Sequence, residues 1–346
     1  MRITFVLPGS GPSGGVRATV IVANGLIERG HQVRLLVYSG KTGLRSIARK
    51  TLTAICYPRT SSWLSQFRGP KKPFSDIGRC DFSDFEIVIG AGLWSCAEIS
   101  RLSSNKIRKV HYVHGISPQE PELMERAWRE KAPKIAVSSY LEEKVQQVCG
   151  QKLFAIIPNG VSTSEYFSSV AVNERDGVGT IYANTYHKDP ATILAVFEGL
   201  RTKYPRIRQR AFGACRPDGK MRGFVEYHRL PSLEQARDLY SRSIVWFCAS
   251  RSEGFGLPIL EAMACGCAVV STDCGGSAPD IIEDGVNGFL TKVGDANDII
   301  NKIAMLLQDS RLRERIVDNS GSTVCRFTWQ NTIDKLEAAL SAIAGA

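Results

Sequence analysis

Short runs of consecutive apolar residues alternate along this chain with stretches whose apolar positions recur every three or four residues. Runs of the first kind, bounded by turn residues, fit strands buried on both faces of a parallel sheet; the second kind fits the helices that cover such a sheet. In the first half, strands are expected at residues 3–7, 33–38, 86–90, 109–113, 134–138 and 154–158, with helices such as Val16–Arg29 and Ser139–Cys149 between them. Residues 41–80 show no clean period and are expected to be irregular. The polar, glycine-bearing stretch 168–180 has little to bury and is the expected linker. A second alternating series follows, with strands at 179–183, 208–213, 223–227, 244–250 and 267–272 and helices at Pro190–Tyr204, Ser232–Ser241 and from Pro258. Helical patterns dominate from Asp295 to the end. The alternation predicts an α/β chain of two doubly wound halves with a cleft between them, with ligands at the carboxyl ends of the strands.

The 346 residues suffice for two domains, each able to bury a core without disulfide staples. Hydrophobic residues make up 43% and charged residues 23%, and no apolar run reaches the ~20 residues of a membrane-spanning helix. The start, MRITFVLPGSGPSGG, has too short an apolar stretch for a secretory signal, so the expected compartment is cytoplasmic. Ten cysteines are scattered without a Cys-x-x-Cys pair, which fits free thiols in a reducing compartment. Cys265, Cys267 and Cys274 stand close in sequence, but no His stands at ligand spacing to complete a metal set.

Charge is unevenly placed. Residues 1–165 hold 23 Lys and Arg against 13 Asp and Glu, whereas residues 166–346 hold 21 of each, so the net +10 is all N-terminal. From Lys41 to Lys72 eight cations occur without one acidic residue, interleaved with Leu44, Ile47, Trp63 and Phe67. A helix from Leu44 would put Leu44 and Ile47 on one face and Arg45 and Arg49 on another, as interfacial amphipathic helices do. Two readings stand for residues 41–72: a solvated basic loop, or a patch docking on an anionic membrane surface, where each cation contributes about 1 kcal/mol. No nucleic-acid-binding motif accompanies it, and no nucleic acid partner is expected.

The segment richest in chemistry is Ser250-Arg-Ser-Glu-Gly-Phe-Gly-Leu-Pro-Ile-Leu-Glu-Ala-Met-Ala-Cys-Gly266. A strand ends at Ala249, a glycine turn follows, and Pro258 suits the first turn of a helix that Gly266 would stop. Backbone N–H groups around Gly254, Phe255, Gly256 and Leu257, with the helix dipole behind them, would form a site for an anion or a sugar oxygen. Glu253 and Glu261 flank this element, spaced to hold two ends of an elongated polar ligand rather than to face each other across one bond. The plainer alternative is a capping Glu and a solvated helix Glu.

Taken with Met263, Gly266, STDCGG (271–276) and GVNGFL (285–290), this pattern resembles glycosyltransferase family 4. The resemblance extends to SGGV (13–16), RGHQV (29–33), AVSSYLEEKV (136–145), IIPNGV (156–161) and Phe327–Trp329, and so to nearly the whole chain. It implies the GT-B fold: two Rossmann-like domains facing each other across a cleft. Residues 1–167 would bind acceptor, with a C-terminal helix 328–346 packing back on them, and residues 178–327 would bind donor. It further implies a retaining transferase that takes a nucleotide-sugar, a UDP-sugar first, and a saccharide or lipid-linked acceptor in cell-surface polysaccharide or glycolipid synthesis. No metal or other cofactor is implied. Residue by residue, Glu261 matches the glutamate that bonds the ribose hydroxyls, and Glu253 the one beside the donor sugar. The Gly254–Leu257 backbone matches the loop on sugar hydroxyls and phosphate, Gly14 and Gly15 the loop approaching the diphosphate, and His114 the histidine near the reacting sugar. His111, earlier on the same strand, is expected to share the face of His114, and either histidine would serve equally as a core residue.

One departure bears on the donor. Asn184 stands where the family carries an Arg on the diphosphate; Lys188 keeps the second cation, and no Asp-x-Asp element brings a metal instead. Arg17 or Arg251 is expected to supply the missing charge. Asn184 also leaves open a GT-B relative that binds donor without transfer, or an epimerase. A third reading rests on Gly9-Ser-Gly-Pro-Ser-Gly14, which fits Gly-x-Gly-x-x-Gly and would suit an NADP-dependent oxidoreductase, with Lys41 and Arg45 on the 2′-phosphate. That motif alone is weak, and no acidic residue ends the second strand to take a ribose hydroxyl. Sedimentation with vesicles tests the basic segment: anionic but not neutral vesicles are expected to carry the protein down, and equal binding to both, or to neither, removes the membrane reading.

Overall fold

The computed structural model describes residues 1–11, 13–40, 63–103, 107–117, 119–276 and 278–345. The amphipathic helix expected from Leu44 and the cations from Lys41 to Arg59 lie outside them. The chain divides into two compact units, Met1–Asn159 with Trp329–Ala346, and Gly160–Thr328.

In the first unit, the described strands β1 (Arg2–Leu7), β2 (Gln32–Tyr38), β3 (Lys71–Phe74), β4 (Ile87–Ala91), β5 (Arg108–Val113), β6 (Lys134–Ala136) and β7 (Ala155–Ile156) form one sheet. Their order is β3-β2-β1-β4-β5-β6-β7, with every pairing parallel. Helices α1 (Gly14–Glu28), α2 (Leu93–Ile99), α3 (Pro121–Trp128) and α4 (Ser139–Cys149) connect strands. β1 and β4 are buried almost throughout, which is why their sequences read as nearly continuous apolar runs. β3 has no such run: Lys-Lys-Pro-Phe sits at the sheet edge, where proline and lysines are tolerated. The chain moves outward from β1 through β2 to β3, then returns to lay β4 beside β1, so strand order reverses between β1 and β4.

The second unit repeats the plan. β8 (Gly177–Ile181), β9 (Arg208–Gly213), β10 (Val225–Arg229), β11 (Ser243–Cys248), β12 (Ala268–Thr272) and β13 (Phe289–Thr291) pair in the order β10-β9-β8-β11-β12-β13, again all parallel. Helices α5 (Pro190–Lys203), α6 (Leu233–Arg242), α7 (Leu257–Ala264), α8 (Ala278–Ile281), α9 (Ala296–Gln308) and α10 (Ser310–Arg326) belong to it. Phe197 of α5 meets Phe247 of β11 edge to face, 5.4 Å between centroids, in a core shared with Val178, Val270 and Ile303. Here strand order reverses between β8 and β11.

Two boundaries differ from expectation. Residues 160–167, expected with the first unit, cluster with the second: Val161 bridges to Thr328 and Tyr166 lies edge-on to Tyr240. The stretch expected as a loose linker is tied down by Arg175, whose guanidinium donates to the carbonyls of Cys265 and Gly266 at 2.8 and 2.7 Å. The final helix α11 (Trp329–Gly345) belongs to the first unit. It buries Ile333, Leu336, Leu340 and Ile343, a helical stripe. Arg29 holds its Glu337 at 2.5 Å and also pairs with Asp334. Among the described residues no helix is long and apolar enough to cross a membrane.

Gly213 ends β9 where there is no room for a side chain. A Cβ there would stand 2.0 Å from the Tyr182 carbonyl oxygen, a backbone atom that cannot rotate away. Gly213→Ala is expected to destabilise the second unit by about 2–3 kcal/mol, read as a lower Tm, and an unchanged Tm would show that the ends of β8 and β9 part freely.

Candidate functional site

At the carboxyl ends of β8 and β11, three loops of the second unit meet. β8 leads through the exposed Asn184 into a single 3-10 turn, Tyr186–Lys188, and then Asp189. Asp189 takes a left-handed backbone (φ 46°), which short polar residues tolerate, and caps α5 by accepting from the Thr192 N–H and, at 2.8 Å, its hydroxyl. The loop after β11 is stitched to this one, since the Arg251 N–H donates to the His187 carbonyl at 2.8 Å. From the end of β12, the Thr272 hydroxyl donates to the Ser250 carbonyl at 2.6 Å.

Glu253 lies where these loops converge. Its Oε1 accepts from the Ser250 hydroxyl at 2.7 Å and pairs with the Lys188 ammonium. Burial works to lower the pKa of Lys188, but the adjacent carboxylate outweighs it and holds the ammonium above its usual range. Lys188 is therefore a fixed positive charge. Gly276 of the third loop comes so close that a Cβ there would be 2.5 Å from the Glu253 carbonyl oxygen. Arg251 is likewise paired, 2.9 Å from Asp189 Oδ2, with its guanidinium 5.5 Å from the centre of the exposed Tyr186 ring.

Helix α7 starts at Leu257, one residue before the expected Pro258. Gly256 precedes it in a left-handed conformation (φ 92°) and offers no capping side chain, so the dipole end is left to other partners. Phe255 turns inward, 6.0 Å from the Phe327 ring. Glu261 is 6% exposed, which rules out the solvated-helix reading, and its Oε2 accepts from the Tyr240 hydroxyl at 2.9 Å.

In the first unit, Gly14 and Gly15 open α1 behind Ser13, whose side chain accepts from the Val16 N–H. His114 follows β5 and packs on this turn: a Cβ at Gly15 would lie 3.4 Å from His114 Cβ, and Thr19 Oγ1 is 3.5 Å from its Nε2. Burial brings the imidazole pKa down to about 4, so the ring is neutral near pH 7. Arg17 points elsewhere, buried with its guanidinium 4.9 Å from the centre of the Trp63 ring. The expectation for His111 fails. Three residues separate it from His114, an odd offset that reverses the face on an extended chain. The Tyr112 ring instead packs against His114, tilted, at 4.2 Å between centroids, while His111 is fully buried, 3.3 Å from Glu130.

Sequence reasoning singled out the glutamates, glycines, Lys188 and His114, and missed Asp189, Ser250 and Tyr240. Ser250 stands three residues before Glu253, but a serine beside a glycine turn carries no signal of its own. Tyr240 reaches Glu261 only because α6 and α7 are packed in space.

Comparison with known proteins bears on both units. Residues 12–165 match the family described as Glycosyltransferase Family 4, and residues 181–322 match Glycosyl transferases group 1. The phosphatidyl-myo-inositol mannosyltransferase of Mycolicibacterium smegmatis is 26% identical over 227 residues, 62% of this chain and 58% of that protein. The N,N'-diacetylbacillosaminyl-diphospho-undecaprenol alpha-1,3-N-acetylgalactosaminyltransferase of Campylobacter jejuni is 31% identical over 100 residues, 29% of this chain and 26% of that one. The chain thus aligns with 26% to 58% of the length of these relatives. In structure, Anabaena HepE in complex with UDP and glucose superposes with a TM-score of 0.77 at 18% identity, over 99% of this chain and 100% of that one. With a family match on each doubly wound unit and a likeness in fold along its length, the chain belongs to glycosyltransferase family 4 and has the GT-B fold.

Proposed function

We propose that this chain is a retaining glycosyltransferase. Its donor is a nucleotide-sugar, a UDP-sugar first, and its acceptor is a saccharide or lipid-linked molecule in cell-surface polysaccharide or glycolipid synthesis. The observation that carries the reading is the pair of acidic side chains around α7: Glu253 locked to Lys188 ahead of the helix, and Glu261 buried within it. In this reading Glu261 bonds the ribose hydroxyls and Glu253 lies beside the donor sugar. The Gly254–Leu257 backbone and the dipole of α7 receive sugar hydroxyls and phosphate, with Lys188 on the diphosphate. The UDP and glucose bound to HepE support the donor class, and the lipid-bearing names of the two relatives support the acceptor class. A docking role of residues 41–72 on an anionic membrane would fit such an acceptor.

Chemically, the bond from the sugar's anomeric carbon to the phosphate oxygen breaks and a bond to the acceptor oxygen forms on the same face. The acceptor's proton passes to the departing phosphate oxygen, so no side chain need act as nucleophile. Charge growing on the leaving nucleoside diphosphate meets the fixed Lys188 and the α7 dipole, which need no reorganisation. Arg251 is the better replacement for the cation missing at Asn184, because it shares a loop cluster with Lys188, whereas Arg17 is stacked on Trp63. Gly14, Gly15 and His114 are the first unit's candidates for contact with the reacting groups. A neutral His114 would hydrogen-bond a hydroxyl there without adding charge.

Thermal-shift screening of UDP- and GDP-sugars is expected to find one stabilising donor class, and an acceptor should then release the nucleoside diphosphate. Glu253→Gln should keep the shift and lose about 100-fold in release; Glu261→Ala should lose much of the shift. Binding without release across a broad acceptor panel would instead favour the donor-binding reading that Asn184 leaves open. A separate expectation concerns acid. Folding lowers the His114 pKa from about 6.5 to about 4, so the stability it contributes is complete above pH 6.5 and is lost as pH falls toward 4. His114→Gln is expected to flatten the fall of Tm across that window, and parallel Tm curves would refute it.

A further inference from the structure

Tyr240 lies on α6 with its ring wholly buried and its hydroxyl 2.9 Å from Glu261 Oε2. Trp246 packs against the ring at a tilt of 51°, 4.2 Å between centroids, and Phe212 and Tyr166 approach it edge-on at 5.5 and 6.1 Å. The helix that carries it is pinned at its start by a capping box between Ser232 and Gln235. Burial and the neighbouring Glu261 carboxylate push the phenol well above its usual range, so the hydroxyl stays protonated and donates. A tyrosine that only filled this core would serve as well without its hydroxyl. Here that hydroxyl is aimed at the one glutamate of α7, a side chain with several rotatable bonds whose ordering costs conformational entropy.

We infer that Tyr240 is a positioning residue: its hydrogen bond sets the rotation of the Glu261 carboxylate so that it meets the paired hydroxyls of the donor's ribose. This rests on the reading of Glu261 proposed above and adds the element that makes that carboxylate selective. The rigid aromatic surround converts a flexible glutamate into a fixed acceptor, and an acceptor fixed in advance loses little freedom when ligand arrives. The consequence is specific: the hydroxyl of Tyr240 matters to binding only when the ligand has ribose hydroxyls to offer.

The experiment compares UDP and GDP with their 2′,3′-dideoxy forms by calorimetry on the full chain, in the parent, Tyr240→Phe and Glu261→Gln. Tyr240→Phe keeps the ring and its neighbours, and a Tm measured alongside checks the fold. The parent is expected to prefer the ribose form about tenfold or more. In Tyr240→Phe that preference should fall about fivefold while the affinity for the dideoxy form holds, and the donor KM should rise with little change in kcat. A preference that Glu261→Gln removes but Tyr240→Phe retains overturns the inference alone. Equal weakening of both ligand forms in Tyr240→Phe also overturns it, because that marks general loosening. A parent that binds both forms equally overturns the reading of Glu261 itself, and the inference with it.

Discussion

The ion pair between Lys188 and Glu253 is the fixed point from which the second unit's site is built. Lys188 comes from the loop after β8, Glu253 from the loop after β11, and strand order reverses between those two strands. Adjacent parallel strands that diverge at a reversal leave a crevice at their carboxyl ends, and a charge pair is well placed to join the loops on either side. The Arg251 N–H on the His187 carbonyl and the Thr272 hydroxyl on the Ser250 carbonyl add main-chain stitches, so the carboxylate rests on a scaffold rather than on one flexible turn. Gly276 can only be glycine for the same reason: the third loop closes against the Glu253 backbone.

This pairing also decides how charge is presented. Lys188 balances Glu253 and Arg251 balances Asp189, so the four charges cancel. A ligand carrying phosphate must compete with a carboxylate for either cation, or rely on the dipole of α7, whose first turn has no capping side chain. The exposed Asn184 adds no charge to this account. The four charges thus hold one another in place, and the basic excess of the chain lies in the other half of its sequence.

Much of this was legible from residue order, for identifiable reasons. Parallel strands buried on both faces, such as β1, β4 and β12, announce themselves as mostly apolar runs interrupted only by small buried polar residues such as Thr4 and Ser271. The helix after the glycine turn is announced by Pro258. β3 was not legible, because only Phe74 of its four residues is buried and Lys-Lys-Pro-Phe has the composition of a loop. Residues 160–167 were misplaced because their partners, Thr328 and Tyr240, are distant in sequence. The two arginines that looked equivalent as spare cations are separated by contacts no spacing rule predicts: one is held by a carboxylate, the other by an indole. The histidine pair was misjudged by an offset of three, which only looks like one face when strand period is read loosely.

The contrast between the two glutamates follows from what holds each one. Glu253, about a fifth exposed, is met by a cation and a hydroxyl and sits ahead of the helix, where neighbouring charge can be felt and altered. Glu261 is nearly buried and is met by a neutral phenol in an aromatic surround. Coulombic coupling is strong and long-ranged in the first setting, whereas in the second the interaction is short and directional. A group that must respond to charge developing on a ligand belongs in the first environment. A group that must recognise fixed neutral hydroxyls belongs in the second, where a rigid acceptor discriminates by geometry. The fold places one carboxylate on a stitched loop and the other on a helix backed by aromatic rings, eight residues further along the chain.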